Sequence, residues 1–153
     1  MLREFVPGTD PLSPDAVLVV ANGLLTGAPV STAARFTVAG RSPLTGAYGE
    51  SEAGGYFGPE LKAAGYEAIV VTGRAAAPVY LAIRDADVEI RDAGDLWGRE
   101  PAEVQAAIRS ELRDGYVRVL QIGPGGENLV KFACWINWVH WNTSSPNYWN
   151  NRD

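Results

Sequence analysis

Cysteine and histidine are almost missing: the chain of 153 residues has one of each, Cys134 and His140. One thiol cannot build a disulfide framework, and without a CxxC pair or a His/Cys cluster the side chains offer no zinc or iron–sulfur site. One histidine near the end leaves the rest of the chain without the base that a Ser/His/Asp or Cys/His arrangement needs, so no catalytic residue is assigned. Positive charge is also short. Thirteen Lys and Arg against 18 Asp and Glu leave a net −5, which lacks the basic footprint of phosphate-backbone binding, so nucleic acid is not an expected partner. Nothing approaches the roughly 18 apolar residues of a membrane span, and the first residues carry no apolar run of signal-peptide type. Together these absences lead to the expectation of a cytoplasmic chain with no membrane partner. The carboxylate pairs Asp85/Asp87 and Asp92/Asp95 fall in hairpin and loop sequence, where solvated charge is the ordinary reading.

What is present points to one globular domain. The length suits a single unit of roughly 100–200 residues, and 46% apolar residues suffice for a core. Glycine stands out, with 17 residues, about 11% against a usual share of about 7%. Val17-Leu18-Val19-Val20-Ala21 and Arg35-Phe36-Thr37-Val38-Ala39 predict strands, and Ala68 to Thr72 a buried one. Gly58 to Gly65 predicts a short helix opened by Pro59 and closed by glycine. Val79–Ile83 and Val88–Arg91 flank Arg84-Asp85-Ala86-Asp87 as a hairpin. Pro101 opens one long helix with Val104, Ala107, Ile108 and Leu112 on one face and Gly115 to stop it, and Val117–Ile122 predicts a last strand. Strands outnumber helices, so the expected class is α+β, mainly antiparallel β-sheet layers with few short helices.

The end of the chain reads differently. From Phe132 to Asp153 stand Trp135, Trp138, Trp141 and Trp149, five of the seven asparagines and no glycine. This sets a domain over residues 1–133 and a Trp/Asn-rich, non-homologous tail over 134–153. The tail is either an aromatic binding segment, which would make the chain a stand-alone, non-enzymatic binding or scaffold module, or an end never selected to fold here, such as a frameshifted one.

Two glycine-rich stretches are candidates for close main-chain approach. Gly123-Pro124-Gly125-Gly126-Glu127-Asn128 follows a strand but fails as a dinucleotide fingerprint, because Asn128 takes the third glycine position and no βαβ unit follows. The richer stretch, Gly46 to Gly58, reads as a loop whose small residues let N–H and C=O groups reach a bulky anionic or metal-bridged ligand at the start of the 59–64 helix. Val117-Arg118-Val119-Leu120 leading to Val130-Lys131-Phe132 also echoes Val17-Leu18-Val19-Val20 leading to Ala34-Arg35-Phe36, as an internal duplication would.

Asp10-Pro11-Leu12-Ser13-Pro14, Ala34-Arg35-Phe36, Ser42-Pro43-Leu44-Thr45-Gly46, Gly54-Gly55-Tyr56-Phe57-Gly58-Pro59-Glu60-Leu61-Lys62 and Ile122-Gly123-Pro124-Gly125-Gly126-Glu127-Asn128-Leu129-Val130-Lys131-Phe132-Ala133 occur in this order. Over about residues 9–134 the chain resembles the N-terminal domain of the aldehyde:ferredoxin oxidoreductase family. The resemblance implies a tungsten, less often molybdenum, bis-pterin oxidoreductase that oxidises aldehydes to carboxylic acids and passes electrons through a [4Fe–4S] cluster to ferredoxin. This domain would be the saddle-like β base under the metallopterin, inactive alone. The cluster cysteines would lie in later domains, since the chain has no ligands for them. Those domains, ferredoxin and a second copy in a homodimer are the implied partners. Carried over by position, Arg35 matches the arginine between cluster and pterin, and Glu52, Ala53, Gly54 and Gly55 match the segment whose backbone contacts the pterin and a phosphate-bridging Mg2+. Glu52 stands where one family pattern has asparagine, which leaves its main-chain carbonyl as the metal contact. Family members begin some forty residues earlier and continue after Phe132-Ala133 with an Asn-Asp and a Gly/Arg/Ala-rich segment, so this chain is expected to be a truncated form.

Overall fold

The computed structural model describes residues 6–137. Trp138, His140, Trp141 and Trp149, on which much of the tail reading rests, lie outside the described residues.

Four strands build the main sheet: β1 (Leu18–Asn22), β2 (Phe36–Arg41), β3 (Tyr48–Ala53) and β4 (Ala68–Val71). They are antiparallel throughout and ordered β3-β2-β1-β4. Helix α1 (Phe57–Ala63) joins β3 to β4, and β5 (Val79–Arg84) and β6 (Asp87–Asp92) form a hairpin. Helix α2 (Pro101–Leu112), strand β7 (Leu120–Ile122), the single turn α3 (Pro124–Glu127) and strand β8 (Trp135–Asn137) complete the chain, with β8 antiparallel to β7. The architecture is the expected one, antiparallel sheets with few short helices.

One face of the sheet explains its register. Val38 lies opposite Val20 and Val20 opposite Ile69, while Phe36 lies opposite Ala53. Because strand side chains alternate, these residues share a face, and Phe57 of α1 and Leu120 of β7 pack onto it. Phe36 is 1% exposed and its ring centroid lies 5.1 Å from that of Phe57. A second cluster gathers Val104 and Ile108 of α2 with Val119, the helix face read from the sequence.

Three local readings differ from the structure. The Gly46 to Gly58 stretch is not all loop, because Tyr48-Gly49-Glu50-Ser51-Glu52-Ala53 is strand β3. Its burial is low and it lies at the sheet edge, so it needs no apolar alternation and shows none. Strand β4 was expected to be buried, yet Val70 is 55% exposed; its apolar run reads as core, but β4 is also an edge and pairs only with β1. Helix α2 stops at Arg113, which takes the left-handed conformation at φ 52°, before Gly115 is reached. The internal echo also fails as a structural repeat: Lys131 and Phe132 are turn, and β7 starts only at Leu120.

The hairpin is tied to α2 by a polar triad. The Tyr80 hydroxyl donates to Glu111 Oε1 at 2.8 Å, and Arg91 Nη1 donates to the same oxygen at 3.0 Å. Partial burial and the Glu111 bond push the Tyr80 hydroxyl above its ordinary pKa of 10.0. A raised folded-state value means that the stabilisation is complete below pH 10 and fades as the hydroxyl ionises at higher pH. Alkaline titration of the unfolding midpoint should therefore show a loss above pH 10 that is smaller in Tyr80→Phe.

Candidate functional site

The strand register places the two candidate segments side by side. Phe36 and Ala53 are the terminal Cα partners of β2 and β3, and Thr37 faces Glu52. Arg35 and Gly54 are the next residues along these strands, so Arg35 and the Glu52–Gly55 segment share one end of the sheet.

Below this end the backbone is rigidly seated. The Arg35 carbonyl accepts from Thr26 Oγ1 at 2.5 Å, and Thr26 is 4% exposed. The Arg35 side chain is exposed and has no hydrogen-bond or ion-pair partner among the described residues. With the backbone anchored and the side chain exposed, the five guanidinium N–H donors of Arg35 are left to the solvent side.

Glu52 is exposed and Ala53 half-buried. As the end of an edge strand, this segment leaves alternate N–H and C=O groups outside the ladder, as a main-chain contact to a ligand requires. Gly55 has φ +98°, a conformation that L side chains rarely adopt, and a Cβ built on Gly54 would meet nothing within 4 Å. Space above Gly54 is open. Gly58, by contrast, is filled: its Cβ would lie 3.0 Å from Asn22 Oδ1, 3.2 Å from Thr26 Cγ2 and 3.3 Å from Phe36 Cβ. The glycines thus serve different ends: seven of those described take positive φ, and Gly58 is required by close packing. With seven residues, α1 is too short to serve as an anion-binding terminus by itself.

Two contacts from the β7–β8 unit reach this loop, and the sequence reading missed both. Asn137 Nδ2 donates to the Gly54 carbonyl at 2.7 Å, and the Arg118 guanidinium lies 4.7 Å from the Tyr56 ring centroid. Asn137 belongs to the 134–153 segment of the sequence, whose residues 135–137 form β8 and pair with β7.

Among the described residues no cluster of three or more His, Cys, Asp or Glu could hold a metal, and no helix is long and apolar enough to cross a membrane. The chemistry available is thus main-chain donors and acceptors plus one free guanidinium. A groove of about 160 Å³ lined by Arg41, Gly46 and Tyr48 lies at the opposite end of β2 and β3.

Comparison with known proteins bears on the fold and the family. The family model described as "Aldehyde ferredoxin oxidoreductase, N-terminal domain" matches residues 1–147. The tungsten-containing aldehyde ferredoxin oxidoreductase of Pyrococcus furiosus is 50% identical over 140 residues, 92% of this chain and 23% of that protein. An aliphatic sulfonate oxidoreductase, WOR-like subunit, of the same organism is 34% identical over 82% of the chain and 22% of its own length. Among solved structures, the active site complex BamBC of benzoyl coenzyme A reductase with 1,5-dienoyl-CoA superposes with a TM-score of 0.87 at 38% identity, over 89% of this chain and 21% of that one. The chain thus spans less than a quarter of the length of these relatives. None of the matches supports a stand-alone scaffold module.

Proposed function

The chain belongs to the aldehyde ferredoxin oxidoreductase family by its N-terminal domain, and on that premise we propose that it is the base on which a tungsten bis-pterin lies. The observation carrying this reading is the strand register that brings Arg35, whose guanidinium has no partner among the described residues, to the same end of the sheet as Glu52, Ala53, Gly54 and Gly55. These residues fit such a group. Arg35 would donate hydrogen bonds to the pterin and hold positive charge near the reduced, more negative state of the centre. The 52–55 main chain would accept and donate along the pterin edge, and the Glu52 carbonyl would serve Mg2+, which prefers oxygen ligands and phosphates. When bound, the tungsten centre supplies oxidation of an aldehyde to a carboxylic acid, with electrons leaving through a [4Fe–4S] cluster to ferredoxin.

This chain's share is binding and orientation. Cluster ligands and acid–base groups would come from the remaining domains, so the chain alone is expected to be inactive; a homodimer and a cytoplasmic setting complete the proposal. The relatives' names cover an aldehyde, an aliphatic sulfonate and a coenzyme A thioester. A shared base beneath different substrates fits a domain that holds cofactor and leaves substrate choice to other parts.

Gly54→Leu separates ligand approach from folding, since the added side chain starts in open space. Its unfolding free energy should stay within about 0.5 kcal/mol of the parent, while tungsten and pterin retained from tungstate-supplemented cells should fall to a small fraction. Unchanged retention would overturn the reading.

A further inference from the structure

Between the last ladder pair of β3, at Ala53, and the first residue of α1, at Phe57, the chain crosses Gly54, Gly55 and Tyr56. Glycines cost the most conformational entropy to order, so such a bridge needs external ties to keep one shape. Two come from one source. Asn137, at the end of β8, donates to the Gly54 carbonyl at 2.7 Å, and Arg118, just before β7, lies over the Tyr56 ring at 4.7 Å. Their base is anchored, because Asn137 pairs with Leu120 in the β7–β8 ladder and Leu120 packs on the sheet core beside Phe36 and Phe57. The Tyr56 carbonyl in turn accepts the Glu60 N–H at 3.0 Å, so the loop leads directly into α1.

The geometry points to Asn137 as a positioning residue for the cofactor surface. Through its amide it fixes the Gly54 carbonyl, and with Arg118 it clasps the 54–56 bridge into the shape that a pterin meets. The cofactor half of this inference rests on the proposed function; the clasp does not. Asn137 is suited to the task because its amide is a donor of nearly the same size as an aspartate, which when ionised only accepts and would repel a carbonyl.

The test uses the full chain with Asn137→Asp, Asn137→Gln and Arg118→Leu, read by peptide-resolved hydrogen exchange over residues 52–60, with Val19–Ala21 in β1 as reference. Loss of one hydrogen bond should speed exchange over 52–60 about fivefold in Asn137→Asp, leave Val19–Ala21 unchanged, and be largely rescued in Asn137→Gln, which keeps the donor. Arg118→Leu should speed the same peptides. Tungsten retained per chain should drop in the Asp variant and recover in the Gln variant. Equal acceleration in β1 would make Asn137 a general stabiliser and overturn the clasp, as would no acceleration, or the same acceleration in both Asn137 variants. Faster exchange with unchanged tungsten would overturn positioning while leaving the cofactor base intact. Absence of tungsten from the parent chain would overturn the cofactor reading and this half of the inference with it, while the exchange results would still decide the clasp.

Discussion

Phe36→Ala should destabilise the domain by about 3–5 kcal/mol, a large part of the roughly 5–15 kcal/mol that holds a small domain together. Phe36 is 1% exposed, its ring packs tilted against that of Phe57, and it sits on the same sheet face as Val38 and Val20. Its removal leaves a cavity between sheet and α1 that neither can close, because the Phe36 backbone is paired on both sides, with Asn22 of β1 and Ala53 of β3. Urea unfolding should show the midpoint falling with little change in slope. Phe36→Leu, which keeps most of the volume, should cost less than about 1.5 kcal/mol. Since Phe36 follows Arg35 and faces Ala53, the alanine variant should also loosen the candidate site.

Gly58→Val should cost about 2–3 kcal/mol through overpacking. The new Cβ alone would sit 3.0–3.3 Å from Asn22, Thr26 and Phe36, and valine adds two methyl groups beyond it. Thr26 cannot yield freely, because its hydroxyl holds the Arg35 carbonyl. The damage should therefore appear both as a lower midpoint and as faster exchange at the N–H groups of residues 34–37. In Gly58→Ala the strain is opposed by a gain of about 1 kcal/mol in helix propensity, so its cost should be clearly smaller than that of valine.

These two substitutions also show which parts of the fold were legible in the sequence. Phe36 lies in an alternating run and α2 in a 3.6-residue pattern opened by Pro101; both patterns are imposed by burial on one face, so the residues record them. Strand β3 carries no such record, because an edge strand with exposed residues is held by main-chain pairing to β2, which any side chain permits. The exposed Val70 misled in the opposite direction, since an apolar run shows the tendency to be covered and not whether a cover is at hand. Arg35 and Glu52–Gly55 could be named from the family resemblance, but their adjacency needed the register. Asn137 and Arg118 were out of reach, because contacts between residues so distant in sequence leave no local periodicity.

The proposed cofactor base is a surface that carries a tungsten-pterin. Its most direct measurement is the tungsten and pterin content of the full 153-residue chain purified from tungstate-supplemented cells, alongside aldehyde-dependent viologen reduction. Tungsten and pterin should co-purify with the folded chain, without turnover in the absence of the other domains. A folded chain that retains neither would contradict the cofactor-base assignment.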